Sequence, residues 1–393
     1  MKFLILCSKP PVPANDGGTL ASKALLDGLL NTGHSVEVLA IGTEKHPLPT
    51  DLRSIEKYGL EGLPLQTFPN KYKAFKAVVT GENYHVSRFY SKRFTELIEK
   101  KMSITSYDAL ILDGLNTMVY LKKIRAMYKR KVYYRAHNIE SHLWETRLKE
   151  TENPIEKYFT KRLVNRLKAF EKRVIHEVDG LIPISRIDLD WFKQEGVEAS
   201  FLLPFAFNFK NRQLKKEDVP SKPFSVGFLG ALDWEPNIQG VKWFIECVWP
   251  IVQRDLPQCQ LTIAGRNAVS YFTTLQGENI AFIGEVEDAM QFMLSQKVLI
   301  NPLFSGSGMR VKQAEAMSLA CAVVSTVKGA EGIDMGENKS LVSDDPQKFA
   351  EIIVQLLQNE ELHQRVTQEN RKLAENQFDL EKNTQSLVRW MQE

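Results

Sequence analysis

Runs of apolar residues that end abruptly at glycine, proline or polar residues recur along the whole chain. Such runs are typical of strands covered on both faces in a parallel sheet, because apolar and polar positions do not alternate within them. The first run, Lys2–Cys7, is followed by a helical pattern at 19–33 and a second strand at 34–40, which completes a βαβ unit. Further strands are predicted at 108–114, 131–135, 179–185, 224–230, 260–264, 280–283 and 298–300.

Between these strands the apolar residues take the spacing of helices. Residues 155–178 predict a long amphipathic helix with Leu163, Leu167 and Phe170 near one face. We expect this helix to pack against a sheet, and the more specific alternative is that it contacts a membrane. Other helices are predicted at 238–252, 360–375 and 380–391.

Two consecutive strand–helix series predict two domains. Residues 206–222 are polar and charged and form the best linker, and 393 residues exceed what one core usually supports. We predict an α/β protein with two Rossmann-like domains facing an interdomain cleft. The expected parts are an N-terminal domain at 1–205, a C-terminal domain at 206–375 and a helix at 376–393 that crosses back onto the N-terminal domain.

The composition is that of an ordinary soluble globular protein, with 43% hydrophobic and 25% charged residues. The 4 cysteines form neither a metal-binding pattern nor a disulfide framework, which favours a reducing cytoplasm. No signal peptide is evident, and no apolar stretch approaches the roughly 20 residues that span a bilayer. We expect a cytoplasmic protein that is soluble or peripheral at a membrane.

Positive charge is concentrated in the first half of the chain. Residues 1–205 contain 32 Lys and Arg against 24 Asp and Glu, whereas 206–393 contain 19 against 24. A basic front half can face a phosphorylated lipid, an anionic membrane or nucleic acid, although a solvated basic face explains any single lysine equally well. Of these partners we expect peripheral contact with an anionic membrane and none with nucleic acid.

The stretch 298–333 has the pattern of a ligand cradle. A strand ends at Asn301-Pro302, and the segment Ser305-Gly306-Ser307-Gly308 then opens a helix whose first turn presents unpaired N–H groups and favours anions. Arg310 and Lys312 add positive charge there, and Glu315 can accept hydrogen bonds from sugar hydroxyls. Phosphate donors followed by a hydroxyl acceptor indicate a nucleotide site, against the alternative of a tight turn with solvated charges.

A second glycine pair, Gly17-Gly18, lies between the first strand and the first helix. The dinucleotide fingerprint G-x-G-x-x-G is absent from this long, proline-rich loop, which disfavours a plain NAD-binding domain. The pair is expected either to hold a phosphate at the helix N-terminus or to form a flexible turn.

Polar residues follow the strand predicted at 131–135. His137, Asn138 and Glu140 lie just beyond its carboxyl end, where ligands bind in doubly wound sheets. We therefore treat them as candidates for chemistry or recognition, with a structural role for His137 as the alternative.

Several motifs in this sequence resemble those of the GT-B fold glycosyltransferases, specifically the retaining class called glycosyltransferase family 4. They are GFLGALDWEPNIQGVKWFIECVWPIV at 227–252, LTIAGRN at 261–267, FIGEVED at 282–288 and SGSGMRVKQAEAMSLACAVVSTVKGAEGI at 305–333. In the first half, PPVPANDGG at 10–18 and YRAHNIESHLW at 134–144 are similar to the same group.

The resemblance implies transfer of a sugar from a nucleotide-diphosphate sugar to an acceptor hydroxyl, with retention at the anomeric carbon. The donor would bind mainly on the C-terminal domain and the glycan or lipid-linked acceptor mainly on the N-terminal one, near Asn138 and Glu140. Glu315 matches a family glutamate that binds the ribose, and His137 matches a family histidine near the transferred sugar. A role in cell-surface polysaccharide or glycoconjugate synthesis is expected.

Two departures from the family pattern change the expected donor contacts. A second family glutamate would fall at Ser307, and the Gly230 loop lacks the arginine and lysine that many members use for the diphosphate. Diphosphate binding is therefore assigned to Arg310 and Lys312 with the amides near Gly308 and Met309, assisted by Arg266, while Val286 would lie near the base. These cations would stabilise the leaving diphosphate, so neither a metal nor another cofactor is expected.

Two alternatives stay open from the sequence. One is a sugar-nucleotide epimerase of the same fold, whose reaction has no external acceptor and would make the basic front half unnecessary. The other is a non-catalytic nucleotide-sugar-binding subunit in which the serine at 307 has abolished turnover.

Overall fold

The computed structural model describes residues 1–14, 16–68, 70–80, 83–211, 223–273, 277, 279–306 and 310–393. The chain forms two compact units. The N-terminal unit contains Met1–Phe205 and Leu380–Glu393, and the C-terminal unit contains Ala206–Asp379. None of the helices in the described ranges is both long and apolar enough to cross a membrane.

The N-terminal unit is built on a six-stranded sheet in the order β3-β2-β1-β4-β5-β6, with every pair parallel. Continuous apolar runs form its central strands because helices cover both faces, and β1 and β4 are almost wholly buried. The strands are β1 Lys2–Cys7, β2 Ser35–Gly42, β3 Leu60–Pro64, β4 Ala109–Asp113, β5 Val132–Ala136 and β6 Gly180–Pro183.

Helices of the N-terminal unit connect these strands. The longest, α8, begins at Pro154, where Asn153 caps its first turn, and it buries Val164, Leu167, Glu171 and Val174. The helices are α1 Gly17–Asn31, α2 Leu52–Tyr58, α3 Lys71–Thr80, α4 Tyr84–Ser87, α5 Lys92–Ile104, α6 Leu121–Met127, α7 Glu140–Glu150, α8 Pro154–Val174 and α9 Arg186–Gln194.

The C-terminal unit has a five-stranded parallel sheet in the order β11-β10-β7-β8-β9. Its strands are β7 Ser225–Leu229, β8 Gln260–Ala264, β9 Ile280–Gly284, β10 Val298–Asn301 and β11 Ala322–Ser325. Its helices are α10 Glu235–Trp243, α11 Trp249–Asp255, α12 Ser270–Thr273, α13 Ala289–Ser295, α14 Val311–Ser318, α15 Pro346–Gln358 and α16 Glu360–Phe378.

One predicted helix has an interruption that the apolar spacing did not reveal. Between α10 and α11, residues Phe244–Val248 form a π-helical turn. Pro250 lies in the first turn of α11 and has no backbone N–H to donate to the preceding turn, so the register of the helix shifts there.

The last helix, α17 Leu380–Gln392, belongs to the N-terminal unit. Leu387, Val388 and Met391 join the buried cluster formed by β1, β2 and α1. The Met391 carbonyl accepts hydrogen bonds from Lys131 Nζ and Tyr133 Oη, both at 3.1 Å. The boundary between the units falls after Asp379 rather than after residue 375, because α16 continues without a break to Phe378.

Candidate functional site

In the sheet of the C-terminal unit, the direction in which successive strands are added reverses between β7 and β10. From β7 the chain proceeds to β8 and β9 on one side, and then returns to β10 and β11 on the other. At such a switch point the loops after the two adjacent strands diverge and leave a crevice where ligands bind. The loop beginning at Gly230 and the glycine loop after Asn301 therefore flank the best candidate binding site of this unit.

Backbone geometry at Gly306 brings these two loops together. Gly306 has φ +96°, and a β-carbon there would lie 3.0 Å from the indole ring of Trp234. Only glycine satisfies both conditions at low cost. Trp234, which sequence reasoning did not select, is the N-cap residue of α10 and stays partly exposed.

Arg310 has a different environment from the one expected. It is the N-cap residue of α14 and is 5% exposed. Its Nε donates to the Lys328 carbonyl at 3.0 Å, and one terminal nitrogen donates to the Gly306 carbonyl at 3.0 Å and lies 3.3 Å from Glu331. Because protein groups occupy this guanidinium, Arg310 joins the glycine loop to the loop after β11 rather than presenting an open cation.

Lys312 and Glu315 lie on the first turns of α14, as predicted. Lys312 Nζ is 3.3 Å from Glu315 Oε2, with 54% of the lysine side chain and 17% of the glutamate side chain exposed. Gln313 attaches the helix to the ends of β10 and β11, because its Oε1 accepts hydrogen bonds from Asn301 at 2.9 Å and Ser325 at 2.7 Å. An exposed cation and a half-buried carboxylate are thus held at the start of a helix beside the switch point.

The other predicted donor contacts lie along the same edge of this sheet. Gly230 follows β7, and a β-carbon there would meet Asn237 Nδ2 at 2.8 Å. Arg266 is exposed after β8, and the half-buried Val286, after β9, packs against the buried cluster that contains Phe292. Ser307, Gly308 and Met309 lie outside the described residues.

The N-terminal sheet has its own switch point, between β1 and β4. Asp113, the last residue of β4, is buried there and is surrounded by four side chains. Its carboxylate accepts from Ser22 on α1 and from Cys7 Sγ at 3.7 Å, and lies 3.3 Å from Arg135 and 2.7 Å from His137 Nε2. The sequence marked His137 but not Asp113.

The electrostatics of this cluster favour an ionised carboxylate. Burial alone would raise the pKa of Asp113, but His137, Arg135 and the Ser22 hydroxyl together hold that pKa well below its usual range. Since Asp113 fixes His137 through Nε2, the other ring nitrogen can meet a ligand. That nitrogen, Nδ1, is buried without a hydrogen-bond partner in the described part of the chain.

Gly17 and Gly18 begin α1 on the same edge. Asp16 caps the helix by accepting from the Thr19 N–H at 2.8 Å, and Lys9 Nζ pairs with Asp16 at 2.8 Å. A β-carbon at Gly18 would meet Lys9 Nζ at 2.8 Å. Gly18 therefore lets the lysine of the preceding loop lie against the helix N-terminus, whereas a β-carbon at Gly17 would meet no atom within 4 Å.

The predicted acceptor residues lie at the start of α7. Asn138 and Glu140 are half-buried. The backbone N–H groups of Glu140 and Ser141 donate to the fully buried Glu171 carboxylate at 2.9 and 3.0 Å. Burial and the neighbouring Glu171 raise the pKa of Glu140 to about 7. This carboxyl group is poised to titrate near neutral pH.

This chain is similar to known proteins in sequence and in fold. The family model "Glycosyl transferases group 1" matches residues 223–359. A Klebsiella pneumoniae protein described as "Uncharacterized 44.6 kDa protein in cps region" is 26% identical over 371 residues, which cover 91% of each chain.

Solved structures support the fold across both units. Sucrose-phosphate synthase from Thermosynechococcus elongatus superimposes with a TM-score of 0.68 at 15% identity, covering 100% of this chain and 98% of that one. HepE from Anabaena, solved in complex with UDP, gives 0.65 at 15% identity and covers 100% of both chains. The chain thus has the GT-B fold, and residues 223–359 match the glycosyl transferases group 1 family.

Proposed function

We propose that this chain is a retaining glycosyltransferase that moves a sugar from a nucleotide-diphosphate sugar to a hydroxyl of a glycan or lipid-linked acceptor. The observation that carries the proposal is the switch point of the group 1 domain, where a glycine loop leads into a helix bearing Lys312 and Glu315. The structural similarity to HepE, whose structure was solved with UDP, supports this donor class.

The diphosphate and the ribose of the donor have proposed partners in the C-terminal unit. The first-turn N–H groups of α14 and the Lys312 ammonium bind the diphosphate, and the Glu315 carboxylate accepts the ribose hydroxyls. Arg310 supports this site by holding the Gly306 carbonyl. Donor binding displaces the Lys312–Glu315 pair, which is inexpensive because Lys312 is largely exposed to water.

Departure of the diphosphate develops negative charge, and preorganised donors stabilise it most in the transition state. We propose that Lys312 and the α14 amides supply this stabilisation without a divalent ion. The retained configuration follows from attack on the face that the diphosphate leaves, with a phosphate oxygen accepting the proton of the acceptor hydroxyl. His137 contributes Nδ1 to a hydroxyl of the transferred sugar.

We further propose that the acceptor belongs to cell-surface polysaccharide or glycoconjugate synthesis. The description of the Klebsiella pneumoniae relative as a protein in a cps region supports this context. The acceptor is assigned to the edge of the N-terminal unit that contains Asn138 and Glu140.

Peripheral contact with an anionic membrane is part of the proposal. Tyr72, Phe75 and Val79 of α3 are exposed at helical spacings of three and four residues, whereas Ala77 on the opposite side is buried. Ile155 and Tyr158 of α8 are also exposed, and Phe75 stacks edge-on against Phe159. The sequences of both helices are rich in lysine or arginine, so apolar and cationic groups together fit an anionic lipid surface.

A transfer assay tests the proposed function. The protein is incubated with UDP-, GDP- and ADP-sugars and with a pool of polyprenyl-linked and oligosaccharide acceptors, and products are identified by mass spectrometry and NMR. We expect a glycosylated acceptor with the anomeric configuration of the donor. Inverted configuration would refute retention, isomerised donor would indicate an epimerase, and binding without turnover would indicate a non-catalytic subunit.

A further inference from the structure

Unsatisfied polar groups are concentrated in residues 83–88 of the N-terminal unit. This segment contains the short helix α4, which packs against α8 and the turn Leu115–Tyr120. His85 is 7% exposed, and neither of its ring nitrogens has a hydrogen-bond partner among the residues described. Both amide atoms of Asn83 and the Nε of Arg88 are buried and unpartnered in the same way.

These groups are poorly explained by folding alone. Asn83 is the N-cap residue of α4, a position where an asparagine side chain ordinarily accepts a backbone N–H, yet its side chain makes no capping hydrogen bond. A buried polar group left without a partner destabilises the folded state. Several such groups within six residues indicate a site whose partners come from a ligand.

The local charge indicates the sign of that ligand. Burial is the main cause that lowers the pKa of His85 to about 4, and the positive charges of Arg88 and Arg147 lower this pKa further. Tyr84 and Glu140 act on Arg88 electrostatically, and Arg147 is exposed to solvent. Two guanidinium groups close enough to act on a buried imidazole favour an anion there.

Aromatic packing on α7 fixes the imidazole of His85. The His85 ring lies on Trp144 of α7 with centroids 4.0 Å apart and an interplanar angle of 47°, and the Arg147 guanidinium lies 5.2 Å from the Trp144 ring. Because α7 also begins with Glu140, these residues adjoin the edge assigned to the acceptor. The donor-binding residues of the C-terminal unit are not involved.

We propose that Asn83, His85 and Arg88 bind the phosphate of a phosphorylated acceptor. Arg88 Nε–H and one imidazole N–H donate to phosphate oxygens, and the Asn83 amide, with a donor and an acceptor atom, recognises an adjoining hydroxyl or ester oxygen. The inference rests on the proposed function, for which it names the acceptor class. Such a phosphate can belong to a soluble sugar phosphate or to an isoprenyl phosphate.

Ligand titrations monitored by NMR of the histidine side chains test this assignment. The probes are α-D-glucose 1-phosphate, a short-chain isoprenyl phosphate and the uncharged methyl α-D-glucopyranoside, and His85→Gln identifies the His85 signal. We expect saturable shifts of His85 with at least one phosphate and none with the glucoside. Response to the sugar phosphate alone or to the isoprenyl phosphate alone identifies the source.

Variants separate binding from folding. Arg88→Gln should weaken phosphate binding at least tenfold, about 1.4 kcal/mol, whereas Arg93→Gln, at an exposed arginine on α5, should not change it. Asn83→Ala, also expected to weaken binding, serves if Arg88→Gln does not fold. Absence of any His85 shift, or unchanged affinity in folded Arg88→Gln, would overturn the site.

The same proteins keep this inference distinct from the proposed function. Nucleoside diphosphate binding is measured on wild type and Arg88→Gln, and we expect equal affinities. If Arg88→Gln loses phosphate binding but still binds the donor and still transfers the sugar, the result refutes the acceptor assignment and leaves the proposed function unaffected. Failure of the wild type to bind any donor would refute the proposed function, whatever occurs at Arg88.

Discussion

At the scale of single residues, two arginines at the candidate sites are bound by protein groups instead of facing an open site. Arg135 is 1% exposed and divides its hydrogen bonds between Asp113 and the Ala21 carbonyl, while Arg310 joins Gly306, Lys328 and Glu331. The sequence identified Arg310 as a cation near a glycine loop. It did not reveal the groups that accept its hydrogen bonds, because the Lys328 carbonyl is 18 positions away and the Glu331 carboxylate is 21 positions away.

Arg310→Ala should destabilise the C-terminal unit. The change removes two hydrogen bonds to carbonyl groups and an ion pair, so we expect a loss of about 2–4 kcal/mol in the free energy of unfolding, measured by urea denaturation. Arg365→Ala, at an exposed position on α16, is the control. Unchanged stability with lost nucleotide affinity would instead make Arg310 a direct ligand of the diphosphate.

Lys312→Ala should weaken binding of nucleoside diphosphates at least tenfold, about 1.4 kcal/mol, because its ammonium is the largely exposed cation of the first α14 turn. Isothermal titration calorimetry measures the effect, and Lys372→Ala, an exposed lysine on α16, is the matched control. Equal affinity for wild type and Lys312→Ala would remove Lys312 from the site.

Glu140 predicts a dependence of stability on pH. Because folding raises the pKa of this carboxyl from 4.5 to about 7, the folded state binds its proton more tightly than the unfolded state. The stabilisation from this proton is complete below pH 4.5 and is lost as pH rises through about 7.

Glu140→Gln should therefore unfold with a weaker pH dependence between pH 5 and 8, and should gain about 1–3 kcal/mol relative to wild type at pH 8. Chemical denaturation at several pH values measures this difference. Glu152→Gln, at an exposed glutamate near the end of α7, is the control. Parallel stability curves for wild type and Glu140→Gln would contradict the assigned titration.

At the scale of elements, apolar runs located the central strands because these strands are buried on both faces. Gln260–Ala264 was predicted with its observed bounds, and β4 and β5 differ by a residue or so from the predicted ranges. The edge strand β3, Leu60–Pro64, was missed because its sequence LEGLP has no apolar run. The polar residues of 83–88 were missed as well, since their burial arises from packing between distant helices.

The outward apolar stripe on α3 makes a prediction at this scale. Replacing Tyr72 and Phe75 together with serine should reduce co-sedimentation with vesicles containing anionic phospholipid, because both side chains are exposed on one face of the helix. We expect at least a fivefold loss of the bound fraction. Leu52→Ser, which alters a similarly exposed residue on α2, should bind like wild type.

Equal binding of the double variant and wild type would exclude this face as the membrane contact. Vesicles of zwitterionic lipid distinguish the cationic contribution from the apolar one, since only the former requires anionic headgroups.

At the scale of the molecule, the two series of strands and helices predicted both sheets, and their topology places a switch point in each. In both sheets the strand that comes first in the chain lies at the centre beside the switch point, β1 in one and β7 in the other. For that reason, candidate site residues that are far apart in the sequence of each unit lie at one edge of its sheet. Local sequence could not show the pairing of Asp113 with Ser22, which are 91 residues apart.

Leu387→Ala tests the role of α17 in the N-terminal unit. Leu387 is fully buried in the cluster with β1 and β2, so its truncation should cost about 2–5 kcal/mol. Hydrogen exchange should accelerate in peptides covering β1 and β5 while β7 and β8 keep their protection. Arg389→Ala on the same helix is the control, and faster exchange confined to the C-terminal unit would contradict this packing.

The division of the N-terminal unit into residues 1–205 and 380–393 also constrains folding during synthesis. A nascent chain cannot complete that core until the ribosome has released residue 387 and its neighbours, by which time every strand of the other sheet has already emerged. The half of the protein translated first is therefore the last to acquire its full stability, and a chain that stops early leaves the apolar surface beneath α17 open to chaperones and proteases.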